Sequence, residues 1–172
     1  MRLLFEMDMR DYFDCTRTFR RDSARSIIIR GNRVAMVRSL KYDYYKFPGG
    51  GTEEGESPKD AMIRETCEET GMTVIPESVR EYGYVHRIQK SDIDASECFI
   101  QDNFYYFCQV RDAVGQQVLD NYESEESYVL EYVDPHIAIR KNRRMFKSPH
   151  NHLMFEREAR VLEMLIAEGF FC

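Results

Sequence analysis

GGTEEGESPKDAMIRETCEETGM, residues 50–72, joins a glycine-rich turn to a capped helix carrying three carboxylates at helical spacing. At about 100° per residue, Glu68 and Glu69 fall roughly 60° and 40° to either side of Glu65, so the three share one stripe. Like charges so placed destabilise an isolated helix by about 0.2–0.5 kcal/mol per pair. A divalent cation among them reverses that penalty, and carboxylate oxygens suit hard ions such as magnesium or manganese. The plainer alternative is a solvated acidic helix behind a glycine turn, which is what most short glutamate clusters are.

The local grammar predicts a helix. Ser57 is a good N-cap, Pro58 suits the first helical position, Asp60 adds negative charge to the first turn, and Gly71 supplies the left-handed residue past the end. Ile63, Thr66, Cys67 and Thr70 lie opposite the carboxylates and form the face expected to pack on a sheet, with Cys67 expected in the core. Arg64, one turn before Glu68, can orient its carboxylate by a charge-assisted hydrogen bond. Upstream, Pro48-Gly49-Gly50-Gly51 lets the backbone approach a phosphate or metal with few steric limits.

The whole string resembles the Nudix box: Gly, five residues, Glu, seven residues, then Arg-Glu-apolar-any-Glu-Glu-any-Gly-apolar. Gly50, Glu56, Arg64-Glu65, Glu68, Glu69, Gly71 and Met72 stand in register, and Thr66 occupies the first apolar slot. The box covers about an eighth of the 172 residues, and Lys46-Phe47-Pro48-Gly49 ahead of it also resembles the family. The resemblance implies an α/β fold, a Nudix-type α/β/α sandwich with a mixed, partly barrel-like sheet and a C-terminal helix. It implies a divalent-metal-dependent pyrophosphohydrolase that cleaves a nucleoside diphosphate linked to another moiety, or a nucleoside triphosphate, by water attack on phosphorus. The metal, Mg2+ or Mn2+, would be held by Glu65, Glu68 and Glu69, with the carbonyl of Gly49 or Gly50 as a further ligand. Arg64 would orient the cluster and Glu56 would close the loop by hydrogen bonds.

The family's general base lies in the box or on a loop near the last strand. Here Asn121–Ser127 offers Glu123, Glu125 and Glu126. Glu126 is the first choice and Glu125 the second, with Glu65, Glu69 and Glu123 left open. Family positions that mark ADP-ribose or diadenosine polyphosphate hydrolases fall at Arg87 to Lys90, where neither the Pro nor the Tyr is present. Two other readings stay open: a catalytically idle Nudix-fold module that binds a nucleotide and regulates something else, and a metal-dependent isomerisation of a diphosphate at the same site.

Length and composition agree with one Nudix domain over 1–172, whose first 20 residues form a strand or an arm. Hydrophobic content of 43% and charged content of 31% are those of a soluble protein. No apolar run approaches the roughly 18 residues of a membrane span, and MRLLFEMDMR lacks the marks of a signal peptide, so a cytoplasmic protein is expected. The net charge of −6 argues against a nonspecific nucleic-acid binder. It also predicts a site that repels an anionic substrate unless metal bridges the two. Five cysteines without a CxxC pair suggest reduced thiols. His150 and His152 are read as loop and helix entry rather than metal ligands.

Along the chain, Ser23–Arg30 and Arg33–Val37 read as a hairpin about Gly31-Asn32. Val79–Ile88, Phe99–Val110 and Tyr128–Val133 read as strands, with a short helix from Asp134-Pro135 and an amphipathic helix from Leu153 to Gly169. Tyr42, Tyr44, Tyr45 and Phe104–Phe107 are candidates to stack on a base, although most such rings belong in a core. The expected partner is a small nucleotide or another diphosphate, with no nucleic acid and no membrane. A homodimer is compatible with the first 20 residues acting as an arm.

Overall fold

A computed structural model describes residues 1–144 and 152–171. Twelve strands and four α-helices follow one another among them: β1 (Leu3–Asp8), β2 (Arg17–Arg20), β3 (Ser23–Ile27), β4 (Ile29–Arg30), β5 (Arg33–Ser39), β6 (Tyr45–Lys46), β7 (Gly49–Gly51), α1 (Pro58–Thr70), β8 (Met72–Val74), β9 (Arg80–Lys90), β10 (Glu97–Phe107), β11 (Val110–Val114), α2 (Asn121–Glu125), β12 (Tyr128–Val133), α3 (Pro135–Asn142) and α4 (His152–Ala167). His150 lies outside the described residues, and His152 opens α4.

The principal sheet runs β1-β9-β10-β3-β7, with β2 also paired to β10. It is mixed: β1 runs parallel to β9, β10 runs parallel to β3, and the β9/β10 and β3/β7 pairs are antiparallel. A second sheet runs β12-β5-β4 with β6 on β5, and β8 pairs with β11 apart from both. No sheet closes on itself among the described residues, so the arrangement is an α/β/α sandwich without a barrel.

The Ser26–Ile29 run, read as one strand, serves two sheets. β3 ends at Ile27 and β4 begins at Ile29, with the carbonyl of Ile28 accepting from the amide of Ala35 at 2.9 Å. β3 is buried along its length, as a strand covered on both faces must be. Ala24 and Ile28 pack with Ala61, Met62 and Met72 under α1. Ile27 packs on the other side with Phe47, Val85, Tyr105, Leu162 and Leu165, under the C-terminal helices. A third cluster, Val37, Tyr44, Tyr128 and Phe155, closes the end near β6.

Helix α1 forms as its caps predict. Ser57 accepts from the amide of Asp60, and Gly71 takes φ of 70° while its amide bonds the carbonyl of Cys67. Its packed face differs from the expected one. The buried residues are Ala61, Met62, Thr66, Glu69 and Thr70, whereas Ile63 is half-buried and Cys67 is exposed. The expectation of a core Cys67 is therefore corrected. The helix is rotated so that Glu69 turns inward, and Thr66 ties it to β3 by donating to Ser26 Oγ at 3.0 Å. Residues 121–125, read as loop, form α2 with a capping box between Asp120 and Glu123.

Candidate active site

The chain from Tyr45 to Gly51 threads between α1 and the C-terminal helices, and side chains distant in sequence hold its backbone. Asn142 of α3 brackets Tyr45, accepting from its amide and donating to its carbonyl, both at 2.8 Å. Glu158 of α4 accepts from the amide of Phe47 at 2.7 Å. The amide of Ser26 binds the carbonyl of Pro48 at 2.9 Å, and Glu69 accepts from the amide of Gly49 at 2.9 Å. Arg25 donates to the carbonyl of Gly49. Buried backbone groups without partners cost about 1–3 kcal/mol each, so this clamp fixes where the loop lies.

Glycine is required at two of these positions. Gly49 takes φ of +137°, and a methyl there would overlap the Ala24 carbonyl. At Gly50 a methyl would overlap the Glu65 carboxylate. The bare backbone of Gly50 is thus what lets Glu65 reach the loop.

The three stripe carboxylates have different surroundings. Glu69 is buried and pairs with Lys46. Burial pushes its pKa up to about 7, against the pull of Lys46, of Arg25 and of the Gly49 amide. Glu65 is half-buried, and burial raises its pKa too, offset by Arg64, Arg25 and Lys46. Glu68 is the most open, its side chain 41% exposed. Arg64 organises the outer edge: it donates to both oxygens of Glu56 at 3.0 and 2.9 Å, to Glu65 at 2.9 Å, to Glu68 at 3.1 Å and to the Gly51 carbonyl at 3.3 Å. The Arg64 fork lowers the Glu56 pKa, and Glu56 in turn accepts from the amide of Glu53 at 3.0 Å.

Glu126 is buried and accepts from Tyr44 Oη at 2.8 Å, while Tyr44 and Tyr128 share a 2.6 Å hydroxyl contact. Lys46 lies over the Tyr128 ring at 4.8 Å, linking this network to Glu69. Glu125 is exposed on α2. Glu123 is buried and caps its own helix, accepting from the amide of Asp120.

A cleft opens in front of Gly49, Gly50 and Gly51, lined among others by Arg21, Arg25, Lys46, Phe19, Phe99 and Tyr122. Arg21, Arg25 and Lys46 line this cleft together with Glu97, so an acidic chain gathers several cations beside the glycine loop, with Lys46 paired to Glu69. The aromatic expectation also changes. Tyr44, Tyr45 and Tyr105 are wholly buried in the core, and the rings that face the cleft are Phe19, Phe99 and Tyr122.

No group of three or more His, Cys, Asp or Glu converges on one point among the described residues. The donors nevertheless suit a hard divalent ion. Two carboxylates are drawn out of water beside an unhindered glycine backbone, and the charge they need is supplied by Lys46, Arg25 and Arg64. Arg25, Asn142 and Glu158 were not singled out in the sequence, and Lys46 entered only within the run Lys46-Phe47-Pro48-Gly49. No local pattern marks them, because each acts on a backbone group or carboxylate 20 or more residues away.

Comparison with known proteins agrees with this geometry. The family model described as NUDIX domain matches residues 20–154. An RNA pyrophosphohydrolase of Psychrobacter sp. is 45% identical over 40 residues, 23% of this chain and 23% of that protein. An RNA pyrophosphohydrolase of Shewanella sediminis is 39% identical over 62 residues, 36% of this chain and 35% of that protein. The matched stretches therefore span about a quarter to a third of the length of these curated relatives. Among solved structures, one from a study of MutT of Aliivibrio salmonicida and Vibrio cholerae has a TM-score of 0.52 at 21% identity, covering 87% of this chain and 99% of that one. A Nudix hydrolase from Nitrosomonas europaea has a TM-score of 0.56 at 17% identity, covering 85% and 90%. At such identities these two structures show the shared fold.

Proposed function

This chain belongs to the Nudix family, its NUDIX domain running from residue 20 to 154, and from that premise we propose that it is a divalent-metal-dependent pyrophosphohydrolase. Its substrate is a nucleoside diphosphate linked to another group, or a nucleoside triphosphate. The observation that carries the reading is the placement of Glu65 and Glu69 behind the open backbone of Gly49–Gly50, at the mouth of a cationic cleft.

Glu65, Glu68 and Glu69 would hold Mg2+ or Mn2+, with the carbonyl of Gly49 or Gly50 as a further donor. When bound, such ions neutralise the diphosphate and acidify the attacking water. The chain's own groups do the rest. Lys46 and Arg25 place positive charge where the phosphates lie, and the glycine backbone lets those phosphates come close. Arg64 holds Glu65 and Glu68 in position through its fork. We assign proton acceptance to Glu65, which reaches the loop at Gly50 beside the cleft. Glu126, the first choice from sequence, is given a supporting role: held by Tyr44, it anchors the Tyr128 ring on which Lys46 rests. The exposed Glu125 is given no part. The relatives that act as RNA pyrophosphohydrolases extend the substrate range to be tested to the 5′ triphosphate end of an RNA. With no helix among the described residues long and apolar enough to cross a membrane, the proposed setting is cytoplasmic.

The test is a panel of nucleoside triphosphates, sugar nucleotides, dinucleotides, ADP-ribose and 5′-triphosphorylated RNA, with magnesium or manganese and a Glu69→Gln control. Metal-dependent cleavage of at least one diphosphate, reduced at least tenfold in the control, is expected. Binding without turnover across the panel would instead favour an idle regulatory module.

A further inference from the structure

The cleft at Gly49–Gly51 does not end at the box. It shares Arg25 and Phe99 with a second hollow that runs along β9 and β10 toward α4, where Arg87, Gln89 and Arg157 join the lining. Arg25, Arg87 and Arg157 therefore line these adjoining hollows, each residue at least nine-tenths buried.

These arginines are not equally satisfied. Arg157 is neutralised by Glu158, at 2.9 and 2.7 Å, and bonds Asn103 at 2.6 Å. Arg87 bonds Gln89 Oε1 alone, at 2.9 and 2.6 Å, and forms no ion pair among the described residues. Arg25 spends one nitrogen on the carbonyls of Phe47 and Gly49, while its Nε is buried with no acceptor. The carboxylate of Asp92 lines the same hollow and takes a hydrogen bond from Gln89 at 3.3 Å. Burying a cation costs several kcal/mol unless it is fully paired, and the nearest carboxylate to act on Arg87 is Asp92. The Arg87 pKa is pushed down to about 10 by burial and then by the neighbouring Arg157, against the opposing pull of Asp92. The Phe99 ring centroid lies 5.6 Å from Arg87 Cζ.

We propose that Arg87 and Arg25 form a second anion subsite, which takes a phosphate of the substrate lying outside the diphosphate held at the box. This deepens the hydrolase reading and rests on it. A chain of three or more phosphates, or a distal group that is itself phosphorylated, fits the groove better than a diphosphate joined to an uncharged sugar. Arg25 stands at the junction and touches both parts.

The subsite is tested by binding, apart from turnover. Calorimetry in chelator with wild-type protein titrates inorganic phosphate and tripolyphosphate separately. Tripolyphosphate is expected to bind at least tenfold more tightly than phosphate. That affinity should fall at least tenfold in Arg87→Gln, recover in part in Arg87→Lys, and persist in Glu69→Gln. Equal affinity for the two anions would make free phosphate the ligand and overturn the substrate assignment. Unchanged tripolyphosphate binding in Arg87→Gln would overturn the subsite. Because Arg87 is buried, an independent measurement uses the wild-type chain: the Nε–H resonances of Arg25 and Arg87 should move on adding tripolyphosphate, and stationary resonances would refute the proposal. Failure of hydrolysis with intact anion binding would count against the hydrolase reading alone.

Discussion

Glu158→Gln changes one oxygen for an amide nitrogen and should destabilise the protein far beyond what that substitution suggests. Oε1 of Glu158 receives Arg157 Nε at 2.9 Å, Arg157 Nη2 at 2.7 Å and Tyr105 Oη at 3.1 Å, while Oε2 receives the Phe47 amide at 2.7 Å. Every partner is a donor. Glutamine has a single acceptor oxygen, so in either orientation its NH2 faces donors, and Arg157 loses its counter-charge in the interior. Breaking one side of a buried pair costs about 3–5 kcal/mol. The Asn103 contact to Arg157 survives, which sets the expectation at about 3 kcal/mol. For a chain of this size that lowers Tm by about 6–12 °C. Urea denaturation should show an earlier midpoint with an unchanged slope. In Arg157→Met/Glu158→Gln the buried charge is gone and the glutamine oxygen is free to turn to Phe47, so most of the loss should return. A single variant within about 1 kcal/mol of wild type, or a double variant no better than the single, would refute the view that Glu158 anchors the loop through a neutralised arginine.

Two further outcomes follow from the same geometry. In chelator, the contribution of Glu69 to stability should fall as pH rises from about 4.5 to about 7. The Glu69 pKa is raised in the folded state to about 7, so its contribution is complete at low pH and is lost through that window. Glu69→Gln should flatten the pH profile in urea or thermal melts, and an identical profile would contradict the assignment. Gly50→Ala should fold, because the Glu65 side chain can rotate away, yet lose at least tenfold in kcat/KM. Gly49→Ala meets backbone at a positive φ and should cost about 2 kcal/mol or more; the reverse ranking in melts and kinetics would show that the Gly50–Glu65 approach is unimportant.

The parts of this fold legible in sequence are those set by local chemistry. Ser57, Pro58 and Gly71 bounded α1, and the β4/β5 hairpin, β12 and α4 follow from turn residues and periodicity. The rotation of α1 was not legible. A stripe of three glutamates looks like a solvent face, and only the approach of Lys46 and the Gly49 amide makes it favourable to bury Glu69. That misreading carried Cys67 into the core when it lies outside. The loop clamp was hidden for a related reason: Asn142 and Glu158 meet backbone 97 and 111 residues away. Helix α2 did leave a local trace, the Asp120–Glu123 capping spacing, in a stretch read for its carboxylates. The cationic groove could not be read from a net charge of −6, because its arginines come from β3, β9 and α4.

Glu65 and Glu69, behind the glycine loop, are proposed to direct water onto a diphosphate with the help of a divalent ion. The direct measurement is 31P NMR of the products formed in 18O-labelled water, with magnesium and with chelator, for wild type and Glu69→Gln. Cleavage of the phosphoanhydride with one water-derived oxygen in a phosphate product is expected in the wild type with magnesium, and at least tenfold less in the other arms. A diphosphate that stays intact with every substrate, or cleavage at full rate in chelator, would contradict it.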